Sequence, residues 1–247
     1  MLHLQKFKKM KQFFQVAIFA IVLASCGDKK PAGNLEITGN VEGLKSGTLI
    51  IKKIVDTAYV NLDTIKIDGD SHFTSILNVK EPEMLYLTLN RGVSNSMDNT
   101  LPFFAEPGKM TIDTEVELFF ANAKITGSKN NELYLEYQKI GKKFNEDQLA
   151  LSQLKFLSMK TKNQKKFDSI QNVQNNIIRR KYLYAVNFVV NHKDFEVAPY
   201  VALTEIPNVS LQYMDTIQKA LPTKIANSMY GKKLSALIAQ RKLIETK

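Results

Sequence analysis

Alternating apolar and polar residues run through the first half of the chain beyond residue 33. In 35–41, 85–89 and 110–116 one set of alternate residues is apolar apart from Gly39 and Thr114, which is the period of a half-buried β-strand. Further strands are predicted at 47–54, 58–67, 71–77, 99–105 and 118–126. About eight short strands without intervening helices predict an antiparallel β-sandwich over residues 34–127, with an open barrel as the alternative.

Turn residues divide these strands. Asp68-Gly69 predicts a hairpin turn, because glycine readily adopts a positive φ. Glu106-Pro107-Gly108 predicts a second turn. The alternation changes phase near Asp63-Thr64, where we expect a β-bulge or a break in the strand.

The second half of the chain has helical periodicity. Ser128 is placed to cap a helix whose apolar residues Leu133, Tyr134, Tyr137 and Ile140 recur at helical spacing. Four more helices are predicted at about 162–192, 196–205, 210–220 and 230–244. Residues 128–247 therefore form a helical region, which packs as a small bundle or covers one face of the sheet. The expected fold class is α+β, with the β-sandwich first and the helices after it.

Residues 1–25 have the pattern of a secretory signal peptide. Four lysines precede an 11-residue apolar run at 13–23. Spanning a bilayer takes ~20 apolar residues, so this run is too short for a permanent membrane helix. A signal peptide places the mature protein outside the cytoplasm.

Leu23-Ala24-Ser25-Cys26 resembles the bacterial lipobox. The resemblance implies cleavage between Ser25 and Cys26 and attachment of lipid, such as palmitate, to Cys26; the alternative is an ordinary signal peptide with a chance cysteine. Cys26 is the only cysteine, which excludes an internal disulfide, a CxxC pair and a cysteine-based zinc site. Residues 26–33 then form a short tether. We expect a lipid-anchored protein of the cell envelope, by default on the periplasmic side of the outer membrane.

The two halves carry opposite charge. Residues 26–127 hold 10 basic and 14 acidic residues, and residues 128–247 hold 20 basic and 10 acidic residues. Export argues against nucleic acid as the partner of the basic half. The basic helices can face anionic lipid headgroups, dock against the acidic strand half, or simply keep the protein soluble.

A family resemblance covers roughly residues 34–245. It rests on the order of these segments: GNLEITGNVEGLKSGTLIIKK, VDTAYV, LDTIKIDGDSHF, KEPEMLYL, PFFAEPGKMTID and AKITGSKNNELYLEY. They resemble the domain of unknown function 4369, which in Bacteroidota lipoproteins precedes a thioredoxin-like domain of the thiol-disulfide interchange type. The segments NHKDFEVAPYVALTEI and LPTKIANSMYGKKLSALI resemble the helical spacer of those proteins. We expect this chain to lack the thioredoxin domain, because it contains no CxxC.

The redox activity of those relatives therefore does not transfer to this chain, since a dithiol cycle needs a second thiol. The resemblance implies a thioredoxin-like oxidoreductase as a partner protein instead. The family's N-terminal domain supplies no catalytic residues to carry over.

The sequence contains no recognisable catalytic motif. It lacks a GxSxG elbow, a P-loop and a GxGxxG fingerprint. His72 is expected at the surface beside a turn and His192 near a helix end, where a cation complements the helix dipole. The strand half is rich in carboxylates, namely Asp56, Asp63, Asp68, Asp70, Glu81, Glu83, Asp98 and Glu106. We expect no catalytic residue, no metal and no cofactor.

Asp68 and Asp70 slightly resemble a calcium loop, but the twelfth position of that loop would be Val79 instead of glutamate. A solvated turn is the preferred interpretation of this pair.

The leading hypothesis is a non-catalytic binding or interaction module. The alternatives are a glycan-binding or glycan-handling protein and an enzyme of unrecognised type. For the glycan hypothesis, Tyr59, Tyr86, Phe103 and Phe104 are the candidate sugar platform, although aromatic residues more often fill a core. The polar loop at residues 95–100 (NSMDNT) is a candidate binding loop, with a simple connection as the alternative.

Overall fold

The structure, a computed structural model, describes residues 33–92 and 96–245. The signal peptide, the cleavage site and Cys26 lie outside the described residues, and so does most of the tether. The eight strands are β1 (Leu35–Glu42), β2 (Ser46–Val55), β3 (Ala58–Asp68), β4 (His72–Leu77), β5 (Glu83–Asn90), β6 (Thr100–Ala105), β7 (Gly108–Glu115) and β8 (Lys124–Thr126).

The strands form two four-stranded sheets, with the orders β4-β1-β7-β8 and β3-β2-β5-β6. The predicted sandwich of about eight strands followed by helices is confirmed. One pair departs from the antiparallel expectation, since β1 and β7 run parallel from Leu35 opposite Gly108 to Glu42 opposite Glu115. Parallel neighbours require a long connection, and here the chain passes through the second sheet before β7 returns beside β1.

The turn at Asp68-Gly69 is present, but the predicted hairpin is wrong. Gly69 has a φ of 90°, and its amide donates to the Lys45 carbonyl oxygen at 2.8 Å. β3 belongs to one sheet, whereas β4 pairs with β1 in the other. The turn therefore carries the chain between the two layers, because the outer edge of β1 is where β4 finds its partner.

The irregularity expected near Asp63 is confirmed. The register of β2 against β3 shifts between Ile51 and Lys52, which face Asp63 and Asn61 respectively. The extra residue at this bulge is Leu62, one position before the predicted site.

The predicted strand at 118–126 is mostly wrong, because only Lys124–Thr126 is extended. Residues 117–122 form helical turns, with the Asn122 amide donating to the Leu118 carbonyl oxygen at 2.9 Å. This conformation directs Phe119 into the sandwich core, while Leu118 and Phe120 are about half exposed. An extended segment would also place Leu118 and Phe120 on the same face, but it could not reverse the chain between β7 and β8, which pair side by side.

Six helices follow the strands. They are α1 (Lys129–Lys160), α2 (Gln164–Asn191), α3 (Val197–Glu205), α4 (Leu211–Ala220), α5 (Thr223–Ala226) and α6 (Met229–Glu245). The predicted cap is confirmed, since the Ser128 side chain accepts from the Asn131 amide at 3.0 Å. The short helix α5 is the one that periodicity missed. None of the helices in the described part of the chain is both long and apolar enough to cross a bilayer.

The helices bundle together and also cover one end of a sheet. Met84 on β5 and Phe104 on β6 point away from the sandwich core and join a second core with residues of the helices, including Tyr137, Val189 and Val201. The two arrangements expected for the helices are therefore combined. The described residues belong to one compact unit.

Side chains from the helices complete the hydrogen bonding of the sheet. The Phe104 amide, on the free edge of β6, donates to Asn131 Oδ1 at 2.9 Å. The Met84 amide donates to the Tyr230 hydroxyl at 2.9 Å. Both contacts are buried, so each supplies a partner that the strand amide would otherwise lack.

Candidate functional site: an open groove on the second sheet

The outer face of sheet β3-β2-β5-β6 is left open beyond the end that the helices cover. Successive side chains of a strand point to opposite faces, so neighbouring strands present outward residues side by side. Lys52 on β2 lies opposite Tyr86 on β5, which lies opposite Pro102 on β6. Thr88 and Thr100 form the next outward pair, with their hydroxyl oxygens 3.3 Å apart.

These residues form the floor of a cavity of about 500 Å³. We call it the sheet groove. Its lining residues are Lys52, Tyr59, Tyr86, Thr88, Ser96, Asp98, Thr100, Pro102 and Phe120. A smaller cavity of about 290 Å³ continues it and shares Lys52, Thr88, Ser96 and Thr100. The combined volume is in the range of small-molecule and cofactor sites.

Aromatic rings form part of the groove walls. Tyr59 is 57% exposed, and its ring centroid lies 5.4 Å from that of Tyr86 in an edge-to-face arrangement. Phe120 is 48% exposed. Lys52 Nζ lies 5.8 Å from the centroid of the Tyr59 ring. A ligand with an apolar face and polar edges fits such a surface, because exposed rings take the face while the lysine, Asp98 and the threonine hydroxyls meet the edges.

Tyr86 connects the groove to the helical core. Burial raises the pKa of its hydroxyl, which is hydrogen-bonded to the hydroxyl of Tyr200 on α3. Tyr200 also bonds to Tyr134 on α1, and burial raises the pKa of Tyr134 to about 12. The hydroxyl groups of these three hydrogen-bonded tyrosines stay neutral at physiological pH. This wall of the groove is therefore held by packed helices and not by a surface loop.

Two of the four aromatic residues proposed as a sugar platform line the groove. Tyr59 and Tyr86 do, whereas Phe103 is fully buried in the sandwich core and Phe104 in the helical core. Phe120 was missed. The run Leu118-Phe119-Phe120 could have indicated it. When Phe119 points into the core, its two neighbours point away from the core and stay partly exposed.

The proposed binding loop borders the groove. Ser96 and Asp98 line it, and the Asp98 amide donates to Ser96 Oγ at 3.2 Å. Asn99 is buried, and residues 93–95 lie outside the described residues. The position of the loop is compatible with a binding role, which stays a prediction.

The histidines lie where the sequence indicated. The His72 side chain is 73% exposed, with Nδ1 2.8 Å from Asp70 Oδ1. Hydrogen bonds from the His72 amide and ring lower the pKa of Asp70. This pair does not line the sheet groove. His192 is the C-cap residue that follows α2, and its Nδ1 lies 2.9 Å from the Phe188 carbonyl oxygen.

Several of the carboxylates have structural roles. Glu106 accepts from the Lys129 amide at 2.7 Å and Glu81 from the Met229 amide at 2.9 Å, so each caps the first residue of a helix. Asp63 accepts from the Ser75 hydroxyl, and Glu83 lies 3.7 Å from Lys53 Nζ. Burial raises the pKa of Glu83. Asp98 is the carboxylate that lines the groove.

Metal binding and a second, carboxylate-lined cavity are the remaining candidates for chemistry. Within 33–92 and 96–245, no group of three or more His, Cys, Asp or Glu side chains is placed to hold a metal ion. A further cavity of about 600 Å³ on the other sheet is lined by Glu42, Asp113 and Glu115. Two of these three carboxylates already accept hydrogen bonds: Asp113 accepts from the Asn40 amide, and Glu115 accepts from Asn122 Nδ2.

A two-sheet sandwich with helices packed on one end of a sheet is the class of protein that these contacts define. Residues 35–134 match the family model of the domain of unknown function DUF4369, as the sequence resemblance predicts. The match extends from β1 into the first turns of α1. No curated protein matches the chain. Among solved structures, the chain is similar to transthyretin from Sparus aurata, with 14% identity, 40% of this chain and 100% of that chain covered, and a TM-score of 0.29.

Proposed function

We propose that this protein is a lipid-anchored, extracytoplasmic binding module without catalytic activity of its own. The observation that carries the proposal is the sheet groove, which offers a built surface with aromatic walls. It brings together one lysine and one carboxylate, with no histidine or cysteine among its lining residues. Aromatic walls with a few polar side chains at their edges are suited to hold a ligand.

The proposed occupant is a segment of a partner protein. Tyr59 and Phe120 expose apolar ring surface, and tyrosine is among the residues that most often carry the binding energy of protein interfaces. The resemblance to lipoproteins that carry a thioredoxin-like domain makes such an oxidoreductase the first partner to test.

Site-specific photo-crosslinking in cells tests this proposal. A photoreactive residue is placed at Tyr59 or at Phe120, and the matched control carries it at Tyr213, an exposed tyrosine on α4 outside the groove. We expect the two groove positions to capture the same protein and the control position not to capture it. Failure of both groove positions to give a specific product would overturn the proposal.

A glycan ligand is the second candidate, and the exposed Tyr59 ring favours it, since sugar rings pack on aromatic faces. A glycan array probed with the mature protein tests it. Binding that is lost in Tyr59→Ala and retained in Tyr213→Ala would establish the glycan site in place of the protein partner.

The anchor is tested separately, because it rests on the sequence around Cys26. A multiply acylated cysteine holds a protein stably on a bilayer, whereas one acyl chain does so only marginally. We expect wild-type protein in the outer-membrane fraction with a fatty-acid label, and Cys26→Ser outside it without label. An unlabelled wild type together with unchanged membrane retention of Cys26→Ser would contradict lipidation.

A further inference from the structure

The end of the α1–α2 hairpin projects beyond the helical core. On α1 the last residue of that core is Tyr137, and 23 residues remain before the helix ends at Lys160. At 1.5 Å per residue, this segment extends about 35 Å past the core. Over this length Ile170 and Ile177 of α2 are buried without belonging to either core, so the two helices bury side chains chiefly against each other.

We define residues 148–167 as the hairpin tip. Its composition is one-sided, with five lysines and no aspartate or glutamate. Its exposed apolar side chains are large, and Leu149, Phe156, Leu157 and Met159 are between 54% and 62% exposed. Lys160 Nζ lies 4.8 Å from the centroid of the Phe156 ring. A basic and an apolar side chain therefore share one surface at Lys160 and Phe156.

Polar side chains are buried between α1 and α2 in the tip and in the turn of α2 that follows it. Gln174 and Ser158 are buried, although they are polar. Gln174 Nε2 donates to Ser152 Oγ at 3.1 Å, and Gln148 Nε2 donates to the Gln174 carbonyl oxygen at 2.8 Å. Apolar residues that could fill this seam instead face outward. Packing within the hairpin does not account for them, and exposed apolar patches of this kind mark interaction surfaces.

We propose that the hairpin tip binds the surface of an anionic membrane. Lysines attract acidic headgroups, and the apolar side chains between them can enter the boundary between headgroups and acyl chains. Charge complementarity selects this occupant, because a second copy docked tip to tip would bring five lysines against five.

The position of the hairpin gives this contact a defined geometry in an anchored protein. The Lys129 amide at the start of α1 is bonded to Glu106, and nearby the Gly108 amide donates to the Asn34 carbonyl oxygen at 2.8 Å. The described chain therefore begins near the base of the hairpin, and the tip lies about 48 Å away along the 32 residues of α1. Together with the proposed anchor, tip binding lays the hairpin along the membrane surface.

Vesicle binding without the anchor tests the tip alone. The protein consists of residues 27–247, which contain the whole compact unit from residue 33 and no cysteine. We expect it to sediment with vesicles of equal parts phosphatidylglycerol and phosphatidylcholine, to release in high salt, and not to bind pure phosphatidylcholine.

Paired substitutions locate the contact. Lys165→Gln with Lys166→Gln is expected to lower partitioning onto the anionic vesicles about thirty-fold. The control, Lys45→Gln with Lys66→Gln, removes the same charge from exposed positions of the strand half and leaves binding within about two-fold. Equal losses in the two double variants would overturn the proposal, since general charge attraction would then explain the binding.

A tryptophan probe reports insertion directly, because the chain contains no tryptophan. Phe156→Trp should shift its emission to the blue on anionic vesicles, whereas Tyr213→Trp should not. Absence of binding to the anionic vesicles, or an unshifted Phe156→Trp spectrum in bound protein, refutes the tip contact. Neither result bears on the lipid at Cys26 or on the sheet groove, which the crosslinking and fractionation experiments decide.

Discussion

Two buried tyrosine hydroxyls, one with a partner and one without, make opposite contributions to stability. The Tyr230 hydroxyl accepts the Met84 amide at 2.9 Å, and both residues are buried. The pairing of β2 with β5 ends at Lys52 opposite Tyr86, so no strand partner remains for the Met84 amide on that side. Tyr137 is 1% exposed, and its hydroxyl has no hydrogen-bond partner.

Replacing each tyrosine with phenylalanine removes the same atom from two different situations. Tyr230→Phe leaves a buried amide without an acceptor, which costs about 1–3 kcal/mol. Tyr137→Phe removes a hydroxyl that was buried without a partner and should stabilise the protein by about 1 kcal/mol. The two variants should therefore differ in unfolding free energy by about 3 kcal/mol.

Thermal unfolding followed by circular dichroism measures this difference. For a unit of about 200 residues, it corresponds to melting temperatures about 6–10 °C apart, with Tyr137→Phe above wild type and Tyr230→Phe below it. Urea titrations of the same variants should show altered midpoints and unchanged slopes. Equal destabilisation by the two substitutions would mean that ring packing, and not hydrogen-bond pairing, decides their effect.

Three further expectations follow from the described contacts. Burial raises the pKa of the Tyr134 hydroxyl from 10.0 to about 12 in the folded protein, so the hydroxyl ionises at lower pH in the unfolded chain. The free energy of unfolding should therefore fall by about 2–3 kcal/mol between pH 10 and pH 12. Urea titrations check this, because the fall should be weaker in Tyr134→Phe. Gly39→Ala should lower the melting temperature strongly, because the new Cβ would lie 1.9 Å from the Ile112 carbonyl oxygen, whereas Gly141→Ala, with open space in α1, should raise stability by about 1 kcal/mol. Asn130→Asp should cost about 2–4 kcal/mol in urea titrations at pH 7, because Asn130 Nδ2 donates to both Glu106 and Glu196 and the substitution would place a third carboxylate there; no loss at pH 7 would contradict this.

Local pattern was sufficient for most of the secondary structure. Apolar residues recur every two positions in a half-buried strand and about every 3.6 positions in a helix, so a few neighbouring residues are enough to recognise each element. The bulge at Leu62 and the cap at Ser128 were also local, since each depends on the residues within one turn or one strand. The segment 117–122 failed because a run of three large apolar residues has no period that separates a strand from a tight helical turn.

Pairing and coverage depended on contacts between distant residues. The turn at Asp68-Gly69 is visible in the sequence, but whether β4 continues the sheet of β3 or crosses to β1 depends on which edge is free. Periodicity marks Tyr86 and Phe104 alike as outward-facing, yet Phe104 is buried under helices while Tyr86 lines the groove.

The sequence by itself determined the type and order of most of the elements, the division into acidic strands and basic helices, and the lipobox resemblance at Cys26. The tertiary structure alone decided where the helices lie on the sheet, and with that which aromatic residues remain exposed. It also gave single side chains such as Asn131 and Tyr230 their roles as acceptors for strand amides. The physical reason is that periodicity records only which side of an element is apolar, whereas a site forms where elements far apart in the chain leave a surface uncovered.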